Sequence, residues 1–327
     1  VTVWQNNTWS GGQPDANISA VINSPYKATN GNIESLDLKV NSNLDFDEDT
    51  GNSIVVHRNL DIQGSLTIGD KESLVMTDDN ASIKGEITKF EKSFERRDVK
   101  ELSYWSSPVT EAGIEAIFPD VDPQRIFVYD QSRTSASSPD NDPNGDYWNV
   151  WTNVTGKMTP GIGYASEGPK GTTGTHLVSF SGIPNNGIIR VDLKGNFNDA
   201  DLQNDFNFLG NPYPSAIDME KFLSQNETII DPTIYLWVHN TENLGDDYTS
   251  SFFLTYNILG GTAISSKGIT MPSKYINSAQ GFFVRALQPG AVNFNNSMRA
   301  VDANSNFDVN DIDGDGFDKD SDCNDTD

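Results

Sequence analysis

Nine aspartates and one lysine fall within the last twenty residues, Asp308 to Asp327, and their spacing suits one kind of chemistry. Read as a twelve-residue loop, Asp311 to Asp322 puts carboxylates at positions 1, 3, 5 and 12 (Asp311, Asp313, Asp315 and Asp322). It also puts glycine at position 6 (Gly316) and a backbone carbonyl at position 7 (Phe317). This is the ligand pattern of a calcium loop. Ca²⁺ takes six to eight oxygens, and carboxylates this crowded repel one another unless a cation sits between them. Position 12 is aspartate, a carbon shorter than the usual glutamate, so an affinity of about 10⁻⁴ to 10⁻³ M is expected, as in extracellular modules. A second, less regular set, Asp318, Asp320, Asp322, Asn324, Asp325 and Asp327, offers ligands for another ion or shares them with the first. The alternative is a solvated acidic tail. Glycines at 314 and 316, interleaved with alternating aspartates, favour the metal.

Catalytic spacings are scarce elsewhere. The three histidines, His57, His176 and His239, lie far apart without a zinc spacing. No Gly-x-Ser-x-Gly elbow, phosphate loop or dinucleotide fingerprint occurs. Cys323 sits among aspartates, which suppress thiolate formation. A glycosidase needs only two carboxylates, but among 47 acidic residues the sequence singles out no pair. No enzyme activity is therefore expected. Trp148 and Trp151, with Tyr147, Trp237 and Tyr248, offer a sugar-stacking platform; the competing reading is sandwich core. Three positions apart, Trp148 and Trp151 point to opposite faces of an uninterrupted strand. Asp140, Asp142, Asn144 and Asp146 read as a solvated turn cluster in an exposed loop, with ion binding the lesser alternative.

The formal charge is −25; nine aspartates against one lysine put −8 on the final segment and leave −17 on the rest. Such a surface repels nucleic acid and anionic lipid. No run of eighteen apolar residues occurs, and Val1-Thr2-Val3-Trp4 lacks the basic start of a secretory leader, as expected of a mature fragment. A single cysteine provides no disulfide framework. Calcium-loop chemistry of this affinity favours the outside of a cell.

Those ligands need elements to carry them. From about Asn32 to Ile87 apolar residues alternate in short bursts: Leu36, Leu38 and Val40, Leu44 and Phe46, Ile54 and Val56, Leu60 and Ile62, Leu66 and Ile68, Leu74 and Met76. Turn residues separate them, and residues 59–64 and 65–70 nearly repeat. This predicts a β-solenoid, with an antiparallel sandwich as the competitor. Trp4, Trp9, Ile18, Val21 and Ile22 are candidates to cap its open end. The charged stretch Phe90 to Lys100 suggests a domain boundary. From Glu101 to Arg299 aromatic strand candidates predict a β-sandwich, interrupted by a helix over Met219–Gln225 with Ser215 as its cap and a shorter one over Glu111–Phe118.

Four strings carry a resemblance: Tyr104-Trp105-Ser106-Ser107-Pro108-Val109, Gly210-Asn211-Pro212-Tyr213-Pro214-Ser215-Ala216-Ile217-Asp218, Gln280-Gly281-Phe282-Phe283-Val284 and Phe294-Asn295-Asn296-Ser297-Met298-Arg299. With the opening Trp4 to Pro14, they resemble large secreted surface proteins of Bacteroidota, especially marine flavobacteria. That resemblance implies export by the type IX secretion system if the natural chain continues into a sorting domain. The tail is similar to aspartate-rich repeats of bacterial surface proteins and, more distantly, to thrombospondin type 3 repeats, in which the counterpart of Cys323 usually has a partner further along.

The expectation is thus an all-β protein with a solenoid over 1–98, a sandwich over 99–300 and a calcium-binding segment over 301–327. It would serve as a non-catalytic extracellular structural or adhesive surface element. Its expected partners are calcium, other copies or other surface proteins, and glycans. A variant has Val1–Trp4 adding to a neighbour's sheet edge to build a fibre. The alternative function is carbohydrate binding or polysaccharide cleavage.

Overall fold

The computed structural model describes residues 1–47, 50–85, 88–96, 99, 101–131, 150–195, 197, 205–239, 251–257, 260–262, 274–301 and 303–304. The chain opens with β1 (Thr2–Gln5) and β2 (Thr8–Trp9) and then winds in coils. The first holds β3 (Ala20–Ile22), β4 (Tyr26–Lys27) and β5 (Ile33–Ser35); the second holds β6 (Leu38–Val40), β7 (Asn43–Phe46) and β8 (Ser53–Val56). The third holds β9 (Leu60–Ile62), β10 (Ser65–Ile68) and β11 (Ser73–Met76), and the fourth β12 (Ile83–Gly85) and β13 (Thr88–Arg96).

Corresponding strands pair in parallel, so Ala20, Leu38, Leu60 and Ile83 stack in register as three sheets wrap one column. This is a β-solenoid of about four turns. The alternating bursts explain it. In each short strand the apolar residues point inward, and stacking the coils removes them from water together. Ile22, Val40, Phe46, Val56 and Met76 are fully buried, each side chain contributing about 1.5–3 kcal/mol. Coil corners demand close approach: a Cβ on Gly64 would collide with the Ser42 carbonyl.

Two of the proposed capping residues sit at the N-terminal end. Asn6 and Asn7, at φ 53° and 60°, form the tight turn that folds Trp9 back opposite Trp4. Trp4 meets the Tyr26 ring edge-on at 4.7 Å, and Trp9 lies 5.8 Å from it. Ile22 belongs to the column itself, whereas Val21 is only half-buried. Strand β1 is paired on both sides, in parallel with β3 and antiparallel with β2. Val1–Trp4 is therefore already used within its own chain, so it is not a free strand for a neighbour.

The chain continues through β14 (Ser103–Trp105), α1 (Ile114–Ile117), β15 (Ile126–Tyr129), β16 (Trp151–Asn153), β17 (Tyr164–Ser166) and β18 (Gly174–Gly182). The charged stretch after Phe90 is not a break. It forms most of β13, where Phe90 and Phe94 alternate with polar residues, and β18 pairs antiparallel along its whole length. The chain thus returns to the solenoid well after residue 98. Trp105, Val109, Ile114, Phe118 and Phe180 extend the same apolar column.

Next come β19 (Ile189–Leu193), β20 (Phe206–Gly210), β21 (Ala216–Asp218), α2 (Met219–Gln225), β22 (Ile230–His239), β23 (Ser251–Asn257) and β24 (Gly260–Thr262). The last strands are β25 (Tyr275–Ile276), β26 (Gly281–Ala286), β27 (Gly290–Phe294) and β28 (Arg299–Ala300). The four-stranded sheet β14-β17-β15-β16 and the five-stranded sheet β20-β26-β22-β23-β24 share an aromatic cluster, giving the sandwich. A second cluster joins β20, β22 and β26 to α2 and the β19–β27 pair. Helix α2 begins as expected, but its cap is Asp218, whose carboxylate accepts from Glu220 N and Lys221 N, because Ala216–Asp218 is strand. The shorter helix is only Ile114–Ile117, since Gly113 caps it and Pro119 follows.

Candidate functional site

The four strings that carry the resemblance converge at the joint between solenoid and sandwich. Pro214 follows β20 in a turn held by Asn211, whose amide donates to the carbonyls of Ser215 (2.8 Å), Ile276 (3.1 Å) and Asn277 (2.9 Å). Asn185 donates to Ser107 O (2.9 Å) and Pro212 O (2.8 Å), tying the first string to the second. Tyr213 donates its hydroxyl to Gly187 O at 2.6 Å, and Ser278 Oγ donates to Tyr213 O at 2.9 Å.

Arg299 lies at the centre, with its guanidinium 4.8 Å from the Tyr213 ring. It donates to Leu74 O on β11, to Ser215 Oγ at 3.2 Å, and to the side-chain oxygens of Asn186 and Asn296 at 3.4 Å each. Burial lowers its pKa to about 10, so it remains a cation at neutral pH. A buried cation is tolerated only where acceptors replace its lost water, and here they come from both halves of the molecule.

These contacts also finish a strand edge. Strand β11 ends the β11-β8-β5 sheet, and an unpaired edge there would expose backbone groups. Leu74 N donates instead to Pro214 O (2.8 Å), and Asn304 donates to Glu72 O (2.7 Å) and Ser73 Oγ (3.1 Å). Asp79 accepts from Asn296 N at 2.8 Å. The arrangement buries these polar groups away from water and ties the two halves of the chain together.

Two polar stacks line the solenoid exterior. Asp37 pairs with Arg58 and accepts from Ser19 Oγ (2.9 Å) and Asn59 N (3.2 Å), contacts that hold its carboxyl well below the usual range, the Arg58 hydrogen bond foremost. His57 bridges Glu34 Oε1 (2.8 Å) and Thr77 Oγ1 (3.1 Å) across three successive coils. Sequence spacing gave no hint of this row until the coil period was known, because 34, 57 and 77 align only when the coils stack.

Trp151 lies in the interlayer cluster, half-buried, 5.3 Å from Tyr129, 5.5 Å from Phe208 and 5.9 Å from Tyr104. Trp237 stacks on Tyr104 at 5.6 Å. Trp148, Tyr147, Tyr248 and the Asp140–Asp146 cluster lie outside the described residues. So do all the proposed calcium ligands, Asp311, Asp313, Asp315, Phe317, Asp318, Asp320, Asp322, Asn324, Asp325 and Asp327. Among the described residues, no three His, Cys, Asp or Glu side chains are grouped to hold a metal.

Fold and joint together define the class: a β-solenoid joined to a β-sandwich through a buried polar interface. The chain belongs to the family described as a domain of unknown function, DUF8693, whose pattern matches residues 2–311. No curated protein and no solved structure matches it. The family match ends at the residue where the twelve-residue acidic loop begins.

Proposed function

We propose that the chain is a non-catalytic structural or adhesive element of the cell exterior, a solenoid-and-sandwich module followed by a calcium-binding segment. The observation that carries this reading is the joint. Arg299, Asn211, Tyr213 and Asn304 are buried, and their hydrogen bonds cross between elements far apart in the chain. Such a network suits a part that must keep its shape under load. Apart from Asp311, the twelve-residue acidic loop lies beyond the family match, in keeping with a separate spacer whose aspartates Ca²⁺ would neutralise, turning a self-repelling stretch into a compact one.

Limited proteolysis with and without a chelator, together with calorimetry, tests the proposal. Chelation should increase cleavage after residue 300, and calcium titration should release or absorb heat with a Kd of about 10⁻⁴ to 10⁻³ M. Unchanged cleavage with no heat of binding would defeat it.

A further inference from the structure

A lysine occupies the inward face of β13. Alternation along the strand puts Phe90, Lys92 and Phe94 on one face, and the partner of Lys92 on β18 is the buried Val178. Only 12 % of the Lys92 side chain is exposed, and an ammonium group that has lost most of its water is costly unless it is paired. The third coil supplies the pair. Ile68 of β10 lies opposite Phe90, so Asp70, two residues on, comes alongside Lys92.

Lys92 Nζ lies 2.5 Å from Asp70 Oδ1 and donates to Asp70 O at 2.7 Å. The Ser93 hydroxyl donates to the other carboxylate oxygen, Oδ2. Asp70 is itself only 22 % exposed at its side chain, and the turn before it fixes its approach. Gly69 N donates to Phe46 O at 2.5 Å, and a Cβ on Gly69 would come within 2.9 Å of the Asp47 Cα and 2.8 Å of Glu72 Oε2. An amine and a carboxyl group are thus held in contact on adjacent strands. A hydrogen-bond donor already points at the oxygen on which charge would build during attack on the carboxyl carbon.

From this we infer that Lys92 and Asp70 condense to an intramolecular amide, a covalent cross-link between the third and fourth coils. Burial acts to raise the Asp70 pKa, but the Lys92 charge and the hydrogen bonds from Lys92 and Ser93 outweigh it and hold the carboxyl below its usual range, so the two groups meet as ions. The step needs nothing from outside the pair. One proton passes from Nζ to Oδ1, the freed lone pair attacks Cγ, and negative charge collects on Oδ2 against the Ser93 hydroxyl. A second proton follows from Nζ to Oδ1, the Cγ–Oδ1 bond breaks, and Oδ1 leaves as water. The amide keeps one hydrogen on Nζ, with Oδ2 as its carbonyl oxygen. A neutral group replaces two largely buried charges, which removes the desolvation cost of the ion pair. The cross-link fastens the last coils of the solenoid and is independent of the calcium-binding segment.

Mass spectrometry of the full chain, incubated folded at neutral pH and then denatured, reads the outcome. The expected mass is that of the sequence less one water, and digestion should release a branched peptide joining the segments that contain Asp70 and Lys92. Lys92→Arg keeps the charge but offers no primary amine to the carboxyl, so the mass should return to that of its sequence; Asp70→Ala should restore it likewise. The branched peptide from the unaltered chain decides the matter even if either variant folds poorly. An unaltered chain at the full sequence mass, with Lys92 open to amine acylation once denatured, would mean an ordinary ion pair and overturn the proposal. A water loss that survives Lys92→Arg would overturn it too.

Discussion

The guanidinium of Arg299 reaches across the joint to the carbonyl of Leu74, 225 residues earlier, while stacking 4.8 Å from the Tyr213 ring. One side chain thus satisfies the edge of the solenoid and packs the signature turn of the sandwich. Replacing it by methionine keeps much of the volume but leaves Leu74 O, Ser215 Oγ and two asparagine oxygens short of a donor. Arg299→Met should cost about 3 kcal/mol or more in unfolding free energy, measured by denaturant titration. Arg299→Lys should recover only part of it, since lysine lacks the planar fork.

Tyr26 closes the N-terminal end by stacking on Phe46 at 6.1 Å and donating to Asn30 O (3.2 Å) and Gly31 O (3.1 Å). Burial pushes its pKa up to about 12. An unfolded tyrosine ionises near 10, so the folded state holds this proton when the unfolded state has lost it, and the stability from Tyr26 falls as pH rises from about 10 to 12. Tyr26→Phe should lower stability at neutral pH by about 1 kcal/mol and flatten the alkaline decline of Tm over that window.

Asp37 gives the opposite pH signature. Its folded-state pKa is depressed, first by the Arg58 hydrogen bond, so the contribution is present above about pH 4, where the unfolded carboxyl is ionised. It is lost as pH falls through the folded value. Asp37→Asn should therefore lower Tm at pH 7 and lower it by less at pH 2, where part of the contribution has already been lost. An equal difference at both pH values would show that the effect is steric and not ionic.

In the acidic segment, Asp311→Asn with Asp315→Asn removes two of the four side-chain ligands of the proposed loop. Calcium affinity should fall at least tenfold by calorimetry, with the Tm of the solenoid and sandwich unaffected in chelator.

Trp151 separates packing from sugar recognition. Its rings contact Tyr104, Tyr129, Phe208 and Phe283, so Trp151→Ala should destabilise the sandwich by about 2–4 kcal/mol. Loss of binding on a polysaccharide array with an unchanged Tm would instead assign it to a glycan surface.

The solenoid was legible because its strands are short and each buries alternate residues: Leu44 and Phe46, or Ile54 and Val56, announce a two-residue period by themselves. The role of Phe90–Lys100 was not. Its charges look like a linker when read in sequence, yet Phe90 and Phe94 face the column once β18 supplies their partners Phe180 and His176 from much further along the chain. The His57 row was likewise invisible before the coils were stacked.

Sequence alone determined the inward and outward alternation of the coils, the strand-rich character of the remainder and the clustering of aspartates, since these depend on neighbours a few positions apart. Tertiary structure decided that β13 and β18 carry the solenoid past residue 98 and that the Asn-Pro-Tyr-Pro turn and Arg299 form a structural joint. Those outcomes rest on hydrogen bonds and burial between residues distant in the chain, whose pairing no local pattern encodes.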